Sequence, residues 1–367
     1  MAATPQQMRF RNTFPPLISL QELLKEPIIS VPESYVQLQQ EIPVIDADQI
    51  GDPSAVPVID VSKLNKIEGS CWEFELEKLH SACKDWGIFL AVNHAVGASL
   101  QEKLKHEVEE FFKLPLEEKM KYQLKPGDFQ GYGQTLIALD GKKLDWADRF
   151  YMVTSPTHMR KPHLLPQLSP SLRDALEAYM SDLQDLARKL VLSIARSLGI
   201  EDKEMMEMFE DGMQSIRMTY YPPCPKPELV MGLKPHSDGS LITFVLQVNG
   251  VEGLQVKKDG TWIPVNFMPD SFVVNLGDIL EILSNGLYKS CEHRATVNAI
   301  KERISFAMFF NPKLDAEVGP SRSLLSLQNP PLFRRVGMQK YVEDFFARRL
   351  DGKSYLEVLR LKEGEAI

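Results

Sequence analysis

Two histidines and one aspartate in the second half of the chain have the types and spacing of metal ligands. His236 and Asp238 are two residues apart, and His293 follows after 54 intervening residues. If residues 236 to 238 are extended, their side chains point to the same face and both can reach one ion. The third ligand would then come from a strand folded back beside the first.

The chemistry of these ligands indicates the metal. Two imidazoles and one carboxylate, with no thiolate, form a facial triad that leaves three coordination positions of iron(II) open. Zinc is the alternative because hydrolytic zinc sites use the same ligands, but the chain has no H-E-x-x-H motif. Glu292 is set aside as a ligand because an alternating strand would turn it away from the face that carries His293.

A second pattern, Arg303-x-Ser305, begins ten residues after His293. An always-charged guanidinium in the core of a strand is costly unless an anion meets it, and Ser305 shares the same strand face. The pair therefore predicts a carboxylate site, which would hold the far end of a 2-oxoacid that chelates the metal. An ion pair with an acidic residue of the chain is the alternative. Segment 220–224, with sequence YYPPC, comes before the metal-ligand motif in the chain and supplies a phenol for the same anion.

The elements that must position these residues change character along the chain. The first half is mostly helical: its clearest amphipathic helix spans residues 171–198 and ends before Gly199. A buried strand is predicted at 88–92, and His94 just beyond it is expected to make a structural hydrogen bond. After residue 213 the pattern is one of short apolar runs bounded by turn residues, with a hairpin at Asp259-Gly260. These runs are 216–220, 241–248, 254–256, 262–265, 272–276, 288–293 and 304–310.

Many short, evenly spaced strands indicate a sandwich or barrel of the jelly-roll kind. The predicted fold is α+β, with a double-stranded β-helix (jelly-roll) core and a helical N-terminal region. We divide the chain into a Pro-rich extension (1–56) that wraps the body, a mostly helical region (57–212), the jelly-roll core (213–314), and a closing helix with a tail (315–367).

The pocket beside the metal is expected to be closed by three segments. They are the Gly-rich loop 125–141, the segment 144–152 and the C-terminal helix around Phe345. Four aromatic residues could offer flat apolar surfaces to an aromatic ligand, although ordinary core packing is the alternative for each. They are Trp146, Phe150, Phe309 and Phe345.

Composition excludes several classes of protein. The 367 residues include 42 basic and 50 acidic ones, a net charge of -8, which argues against nucleic-acid binding. No apolar run reaches the roughly 20 residues of a membrane helix, and no signal or transit peptide is evident, so we expect a cytoplasmic protein. The four cysteines form no CxxC pair and are expected to be reduced thiols.

Taken together, these motifs resemble those of plant 2-oxoglutarate- and iron(II)-dependent dioxygenases. The likeness covers about residues 17 to 360 and includes PVID at 57–60, WGIF at 86–89, VNH at 92–94 and FFKLP at 111–115. Within the family the chain is most similar to the branch of norcoclaurine-synthase-like proteins and alkaloid O-demethylases. That closer likeness lies in LHSACK at 79–84, LDWAD at 144–148, RKPH at 160–163 and LDGKS at 350–354.

The resemblance implies a role for each site residue. His236, Asp238 and His293 would bind iron(II). Four others would lie at 2-oxoglutarate, with Phe309 beside the substrate; they are Arg303, Ser305, Tyr221 and Thr219. Two positions depart from the family: Thr219 stands where Asn is usual, and Ala95 where Gly is usual. The first departure is expected to alter hydrogen bonding near the co-substrate without abolishing binding.

The implied activity is oxidation of a small aromatic plant metabolite by O2, by hydroxylation or O-demethylation. Succinate and CO2 would leave, ascorbate would serve as reductant, and the protein would act as a monomer. One rival function is non-oxidative condensation, as in norcoclaurine-synthase-like proteins. It is disfavoured because condensation needs no site such as Arg303-x-Ser305. A ligand-binding protein on the same fold is the other rival, for which a broken triad would be expected.

Overall fold

A computed structural model describes residues 19–26, 28, 30–37, 56–65, 69–125, 128–133, 143–347 and 352–362. Its α-helices are α1 Leu20–Leu23, α2 Ser70–Asp85, α3 Ala98–Lys113, α4 Leu116–Met120, α5 Pro170–Leu198, α6 Asp202–Phe209, α7 Asp278–Leu283, α8 Met338–Ala347 and α9 Ser354–Leu359. Its strands are β1 Val58–Asp60, β2 Ile88–Val92, β3 Gly131–Tyr132, β4 Asp148–Ser155, β5 Gln214–Tyr221, β6 Leu233–His236, β7 Ile242–Gln247, β8 Leu254–Lys258, β9 Thr261–Pro264, β10 Phe272–Leu276, β11 His293–Ala295, β12 Arg303–Phe310, β13 Glu317–Val318 and β14 Val336–Gly337.

Two sheets form the framework of the site. The larger has eight strands in the order β1-β2-β10-β7-β12-β5-β4-β3, and the smaller has four in the order β6-β11-β8-β9. Apart from the parallel pair β1–β2, the strand pairs within these sheets are antiparallel. The α+β class and the antiparallel strands of the second half agree with the sequence prediction.

Helix α5 supports the outer face of the large sheet. It begins where the Ser169 hydroxyl accepts a hydrogen bond from the backbone N–H of Leu172, and it ends at Gly199, whose φ of 74° suits glycine. Its apolar stripe packs against the sheet in one buried cluster, where Tyr179 meets Phe306 edge-on with ring centres 5.3 Å apart. The predicted helix is confirmed. The helix covers one face of the large sheet, and the opposite face borders the cavity of the site.

The predicted strand at 288–293 is wrong except at its last residue. Residues before His293 are held by side-chain hydrogen bonds: Ser290 donates to the Asp278 carboxylate at 2.6 Å, and the Ser284 hydroxyl accepts from the Tyr288 N–H at 3.0 Å. These local bonds compete with a strand ladder. The sequence prediction missed β4, which lines part of the active-site cavity. The extended segment assumed for residues 236–238 is the end of β6, which stops at His236, so Asp238 lies just beyond the strand.

The described part of the N-terminal extension packs on the body. Tyr35 of this extension meets Trp146 edge-on at 5.1 Å, and the backbone N–H groups of Leu20 and Gln21 donate to the Asp148 carboxylate. Residues 1–18 and 38–55 of the predicted extension lie outside the described residues. All four cysteines are free, and within the described ranges no helix has the length and apolarity needed to cross a bilayer.

Candidate metal centre and active-site cavity

The small sheet brings the two histidines together. His236 ends β6 and His293 begins β11, and the two residues are direct cross-strand partners. Asp238 follows just beyond the end of β6, with its Oδ1 3.6 Å from His236 Nε2 and 3.8 Å from His293 Nε2. One ligand atom of each residue lies within 4.8 Å of the others, and all three side chains are buried. The antiparallel pairing of β6 with β11 thus brings His293 beside His236 and Asp238, where it could serve as the third ligand.

Hydrogen bonds to the backbone fix how the imidazoles point. His236 Nδ1 lies 2.7 Å from the carbonyl oxygen of Lys234, and His293 Nδ1 lies 3.2 Å from that of Cys291. Because a carbonyl only accepts, each Nδ1 carries the proton and each Nε2 presents its lone pair towards Asp238. Holding a histidine by its second nitrogen is the usual way to orient a metal ligand.

The electrostatics of the cluster suit a divalent cation. Burial holds the pKa of His236 well below its usual value, and the neighbouring His293 disfavours a second protonated imidazole beside it. Burial acts to raise the pKa of Asp238, but His293, His236 and Arg217 outweigh it and the pKa is lowered. His236 Nε2 and Asp238 Oδ2 are buried without a hydrogen-bond partner among the described residues. Two neutral imidazoles and one carboxylate with orphaned atoms fit a metal ion.

Arg303 provides a second incomplete site. It begins β12, is 2% exposed, and its Nε and Nη1 atoms find no hydrogen-bond partner among the described residues. No carboxylate of the described chain pairs with it, so the alternative of a structural ion pair finds no support there. Its guanidinium carbon lies 4.9 Å from the centre of the Tyr221 ring, its partner on β5. A Cβ at Gly253 would stand 2.9 Å from Arg303 Cδ, so the glycine leaves room for this side chain.

The inward face of β5 and β12 continues from this arginine along the ladder. Ser305 pairs with Thr219, and two positions further Ala307 pairs with Arg217. Thr219 is buried and also faces Arg149 of β4. The Thr219 departure therefore lies between the Arg303 site and the part of the face that Arg217 occupies.

A cavity opens beside the metal ligands. Phe309 and Phe345 line it, and part of the Gly-rich loop joins them through Phe129, Gly131 and Gly133. Residues 126–127 and 134–142, which include most of that predicted loop, lie outside the described residues. The other lining residues include His236, Asp238, Arg217, Tyr151, Met213, Ser215, Tyr341, Val342 and Phe346.

Two predicted pocket residues lie elsewhere. Trp146 is fully buried against the N-terminal extension and donates its Nε1–H to the carbonyl of Pro222 at 3.1 Å. Phe150 is fully buried on the opposite face of β4, stacked on Phe111 at 5.1 Å. Successive strand residues point to opposite faces, so the neighbour Tyr151 reaches the cavity while Phe150 packs in the core.

Sequence analysis also missed Arg217 and Tyr151, which are cross-strand partners on β5 and β4. The alternation of side-chain direction along β5 could have revealed Arg217 from the sequence. The resemblance implied that Tyr221 and Thr219 lie at 2-oxoglutarate, and Arg217 follows them at the same period of two.

Comparison with known proteins identifies the class. Residues 212–312 match the model described as the 2OG-Fe(II) oxygenase superfamily, and residues 56–171 match that of the non-haem dioxygenase in morphine synthesis N-terminal region. The chain belongs to the 2-oxoglutarate- and Fe(II)-dependent dioxygenases. Fe(II) and 2-oxoglutarate are therefore its cofactor and co-substrate, and the jelly-roll fold is confirmed.

Several proteins are similar over nearly the whole chain. Oxoglutarate-dependent flavonoid 7-O-demethylase 1 of Ocimum basilicum is 47% identical, with 94% of this chain and 91% of that protein covered. Codeine O-demethylase of Papaver somniferum is 46% identical, with 94% and 96% covered. The crystal structure of JOX2 in complex with 2OG, Fe, and JA is 34% identical, with a TM-score of 0.86 and coverage of 95% and 99%. These likenesses favour an oxygenase over a condensing or merely ligand-binding protein.

Proposed function

We propose that this dioxygenase hydroxylates or O-demethylates an aromatic plant specialised metabolite held in the cavity beside His236 and Asp238. The observation that carries the proposal is the shared wall: two metal-ligand residues line the same cavity as the aromatic rings of Phe309 and Phe345. Two relatives are named as O-demethylases, one of flavonoids and one of codeine, which supports an O-methyl group as a target.

His236, Asp238 and His293 would hold the iron through the two Nε2 atoms and the carboxylate. Bound iron(II), with 2-oxoglutarate and O2, supplies oxidation of an unactivated C–H bond and releases succinate and CO2. The protein contributes orientation. The hydrogen bonds from Nδ1 fix the tautomer of both imidazoles and aim both Nε2 atoms at one point, and the buried surroundings keep bulk water away.

Arg303 and Ser305 would bind the distal carboxylate of 2-oxoglutarate. The buried Nε and Nη1 atoms of Arg303, which have no partner among the described residues, are N–H donors that a carboxylate would accept from. Tyr221 supports the guanidinium with its ring, and Thr219 stands across the ladder from Ser305. Along this ladder two residues span about 7 Å, so the co-substrate end and the cavity end are separate places on one rigid surface.

The outcome of the reaction depends on which C–H the cavity presents to the metal. Hydroxylation of a ring or alkyl carbon adds one oxygen atom to the product. Hydroxylation of an O-methyl carbon gives a hemiacetal, which breaks down to formaldehyde and a free hydroxyl group. The aromatic walls formed by Phe309 and Phe345 would select a flat substrate and fix that choice.

We propose a cytoplasmic monomer that acts on small molecules, without nucleic-acid or membrane partners. The net charge of -8 would repel nucleic acid. Light scattering at several protein concentrations would then give a constant mass near 41.7 kDa, and a concentration-dependent rise would contradict the monomer.

A product screen tests the proposed reaction. The purified protein is incubated in air with iron(II), ascorbate, 2-oxoglutarate and a candidate substrate. The candidates are methoxylated flavonoids, alkaloids, coumarins and simple phenols, and the products are identified by mass spectrometry. A gain of about 16 mass units indicates hydroxylation, and a loss of about 14 with formaldehyde indicates O-demethylation. Condensed products formed without 2-oxoglutarate would overturn the proposal in favour of the condensing enzyme. The Asp238→Ala variant is the control.

A further inference from the structure

Arg217 is a cation in the cavity that the reaction described above does not use. It lies on the inward face of β5, lines the cavity together with His236 and Asp238, and its guanidinium carbon lies 5.3 Å from the centre of the Phe309 ring. No hydrogen bond or ion pair joins its side chain to any described residue. Burial lowers the pKa of Arg217, as expected of a cation with little compensation from its surroundings.

The other charges around the cavity are already matched. Arg149, the second arginine in the lining, is paired with the Asp145 carboxylate. When the site is full, Asp238 and one carboxylate of 2-oxoglutarate would balance iron(II), and the distal carboxylate would balance Arg303. Both metal-ligand histidines present a bare Nε2 and are neutral. The positive charge of Arg217 is left without a counter-ion when the co-substrate site is full, and a buried charge without a partner is unfavourable.

The position of Arg217 separates it from the co-substrate site. Arg303 lies opposite Tyr221 on the ladder, whereas Arg217 lies opposite Ala307, four residues away on the same strand face. That separation is about 13 Å along β5. Arg217 lines the cavity with Phe309, and Arg303 does not line it. The unmatched cation therefore faces the substrate.

We propose that Arg217 binds a negatively charged oxygen of the substrate, so that the substrate is an aromatic acid carrying a carboxylate or an ionised phenol. This inference rests on the proposed function, because it assigns the cavity to the substrate. The guanidinium anchors the anionic end, and the ring of Phe309 beside it offers a stacking surface for the aromatic body. The uncharged carbon to be oxidised is thereby oriented by its distance from the anion.

Binding of matched pairs of acid and neutral compound tests this assignment. The protein with iron(II) and 2-oxoglutarate is kept without oxygen, so that dissociation constants are measured without turnover. One pair is 4-methoxycinnamate and its methyl ester, for the carboxylate. The other is 7-hydroxy-4'-methoxyflavone and 4',7-dimethoxyflavone above the phenol pKa, for the phenolate. The acid of at least one pair should bind about 10- to 100-fold more tightly than its neutral partner, and the pair that discriminates identifies the source of the charge.

Variants decide whether Arg217 causes the preference. In Arg217→Gln the preference should fall below about threefold, and Arg217→Lys should keep part of it. Arg217→Met, which keeps the length of the side chain, replaces the Gln variant if that does not fold. Arg188→Gln, which removes a surface cation paired with Glu210, is the matched control and should keep the full preference.

Three results would overturn the inference. They are equal affinity for acid and neutral compound in both pairs, failure of both acids to bind, and a preference that survives in Arg217→Gln. Weakened binding of 2-oxoglutarate in that variant, with the acid preference intact, would assign Arg217 to the co-substrate. Failure of the proposed function is separate, since it appears as absence of succinate formation by the wild type in air.

Discussion

At the scale of single residues, Arg303 offers the clearest link between an orphaned atom and a ligand. Two of its buried nitrogen atoms have no partner in the described chain, and both are N–H donors suited to a carboxylate. Hydrogen bonds to charged groups contribute about 1.5–3 kcal/mol each, so Arg303→Ala should raise the KM for 2-oxoglutarate by about 10- to 100-fold. Succinate formation at varied 2-oxoglutarate concentration measures this.

The conservative variant sharpens that prediction. Arg303→Lys keeps the charge but loses the planar fork, so it should recover only part of the lost affinity. An unchanged KM in Arg303→Ala would remove this residue from the co-substrate site.

Ala95 is a residue-scale departure with a structural cost. Its φ is +65°, a left-handed conformation that glycine adopts readily, and its side chain is exposed. The left-handed conformation costs an alanine roughly 1–2 kcal/mol, partly offset by the greater unfolded-state entropy of glycine. Ala95→Gly should therefore stabilise the protein by about 1 kcal/mol, seen as a higher thermal unfolding midpoint. Ala95→Ser keeps a Cβ and is the control; a midpoint that falls in Ala95→Gly would contradict the argument.

His94 makes the structural hydrogen bonds predicted for it. Its Nδ1 accepts from the Val96 N–H at 3.2 Å, and its Nε2 donates to the Asp270 carbonyl at 3.0 Å, so the ring is neutral. Burial lowers the pKa of His94. The unfolded state then binds more protons, and the free energy of unfolding should fall as pH drops below about 6.5.

Thermal unfolding from pH 7.5 to 5.5 at constant ionic strength measures this dependence. The His94→Gln variant should lose that component of the pH slope. The exposed His158→Gln serves as the control. A slope that is identical in the wild type and in His94→Gln would show that His94 does not carry it.

At the scale of elements, the burial of β4 on both faces explains why its cavity residue could not be predicted from the sequence. The triad followed from the sequence because His236 and Asp238 are two residues apart and one strand pairing brings the third ligand. Both faces of β4 are largely buried, so the strand has no polar–apolar alternation to reveal it. Without the strand, nothing in the sequence distinguishes the inward Tyr151 from the outward Phe150.

Helix α8 contributes a wall of the site through one close contact. A Cβ at Gly239 would stand 2.5 Å from Cε2 of Phe345, whose ring stacks on Tyr341. Gly239→Ala should displace the Phe345 ring and raise the KM for the organic substrate by about tenfold, since a 1 Å misplacement can cost up to about a hundredfold. Steady-state kinetics on a substrate found in the product screen measures the change.

A second substitution tests the cause. Gly239→Ala combined with Phe345→Leu should bring the KM back towards the wild-type value, because the smaller leucine side chain leaves room for the new methyl group. Succinate formation without substrate, compared in all variants, shows whether the neighbouring Asp238 still functions. No recovery in the double variant, with that basal activity intact, would contradict the proposed contact.

At the scale of the whole molecule, the site is assembled from parts far apart in the sequence. Gly352, near the C-terminus, exchanges backbone hydrogen bonds with Pro235 and Ser237, which flank His236. Lys353 then pairs with the buried Glu281 of α7. The sequence predicted the closing helix from its periodicity, but no local pattern encodes a pairing across more than 100 residues. The fold class and triad were therefore predictable, whereas this docking and the cavity lining required the tertiary structure.

His236, Asp238 and His293 are expected to support iron-dependent turnover of 2-oxoglutarate. The most direct measurement is succinate release by the wild type and by Asp238→Ala, each with iron(II) or with zinc(II), in the presence of ascorbate and air. We expect succinate only from the wild type with iron(II), and background from the three other combinations. Equal succinate from Asp238→Ala, or turnover supported by zinc, would contradict the assignment of this site.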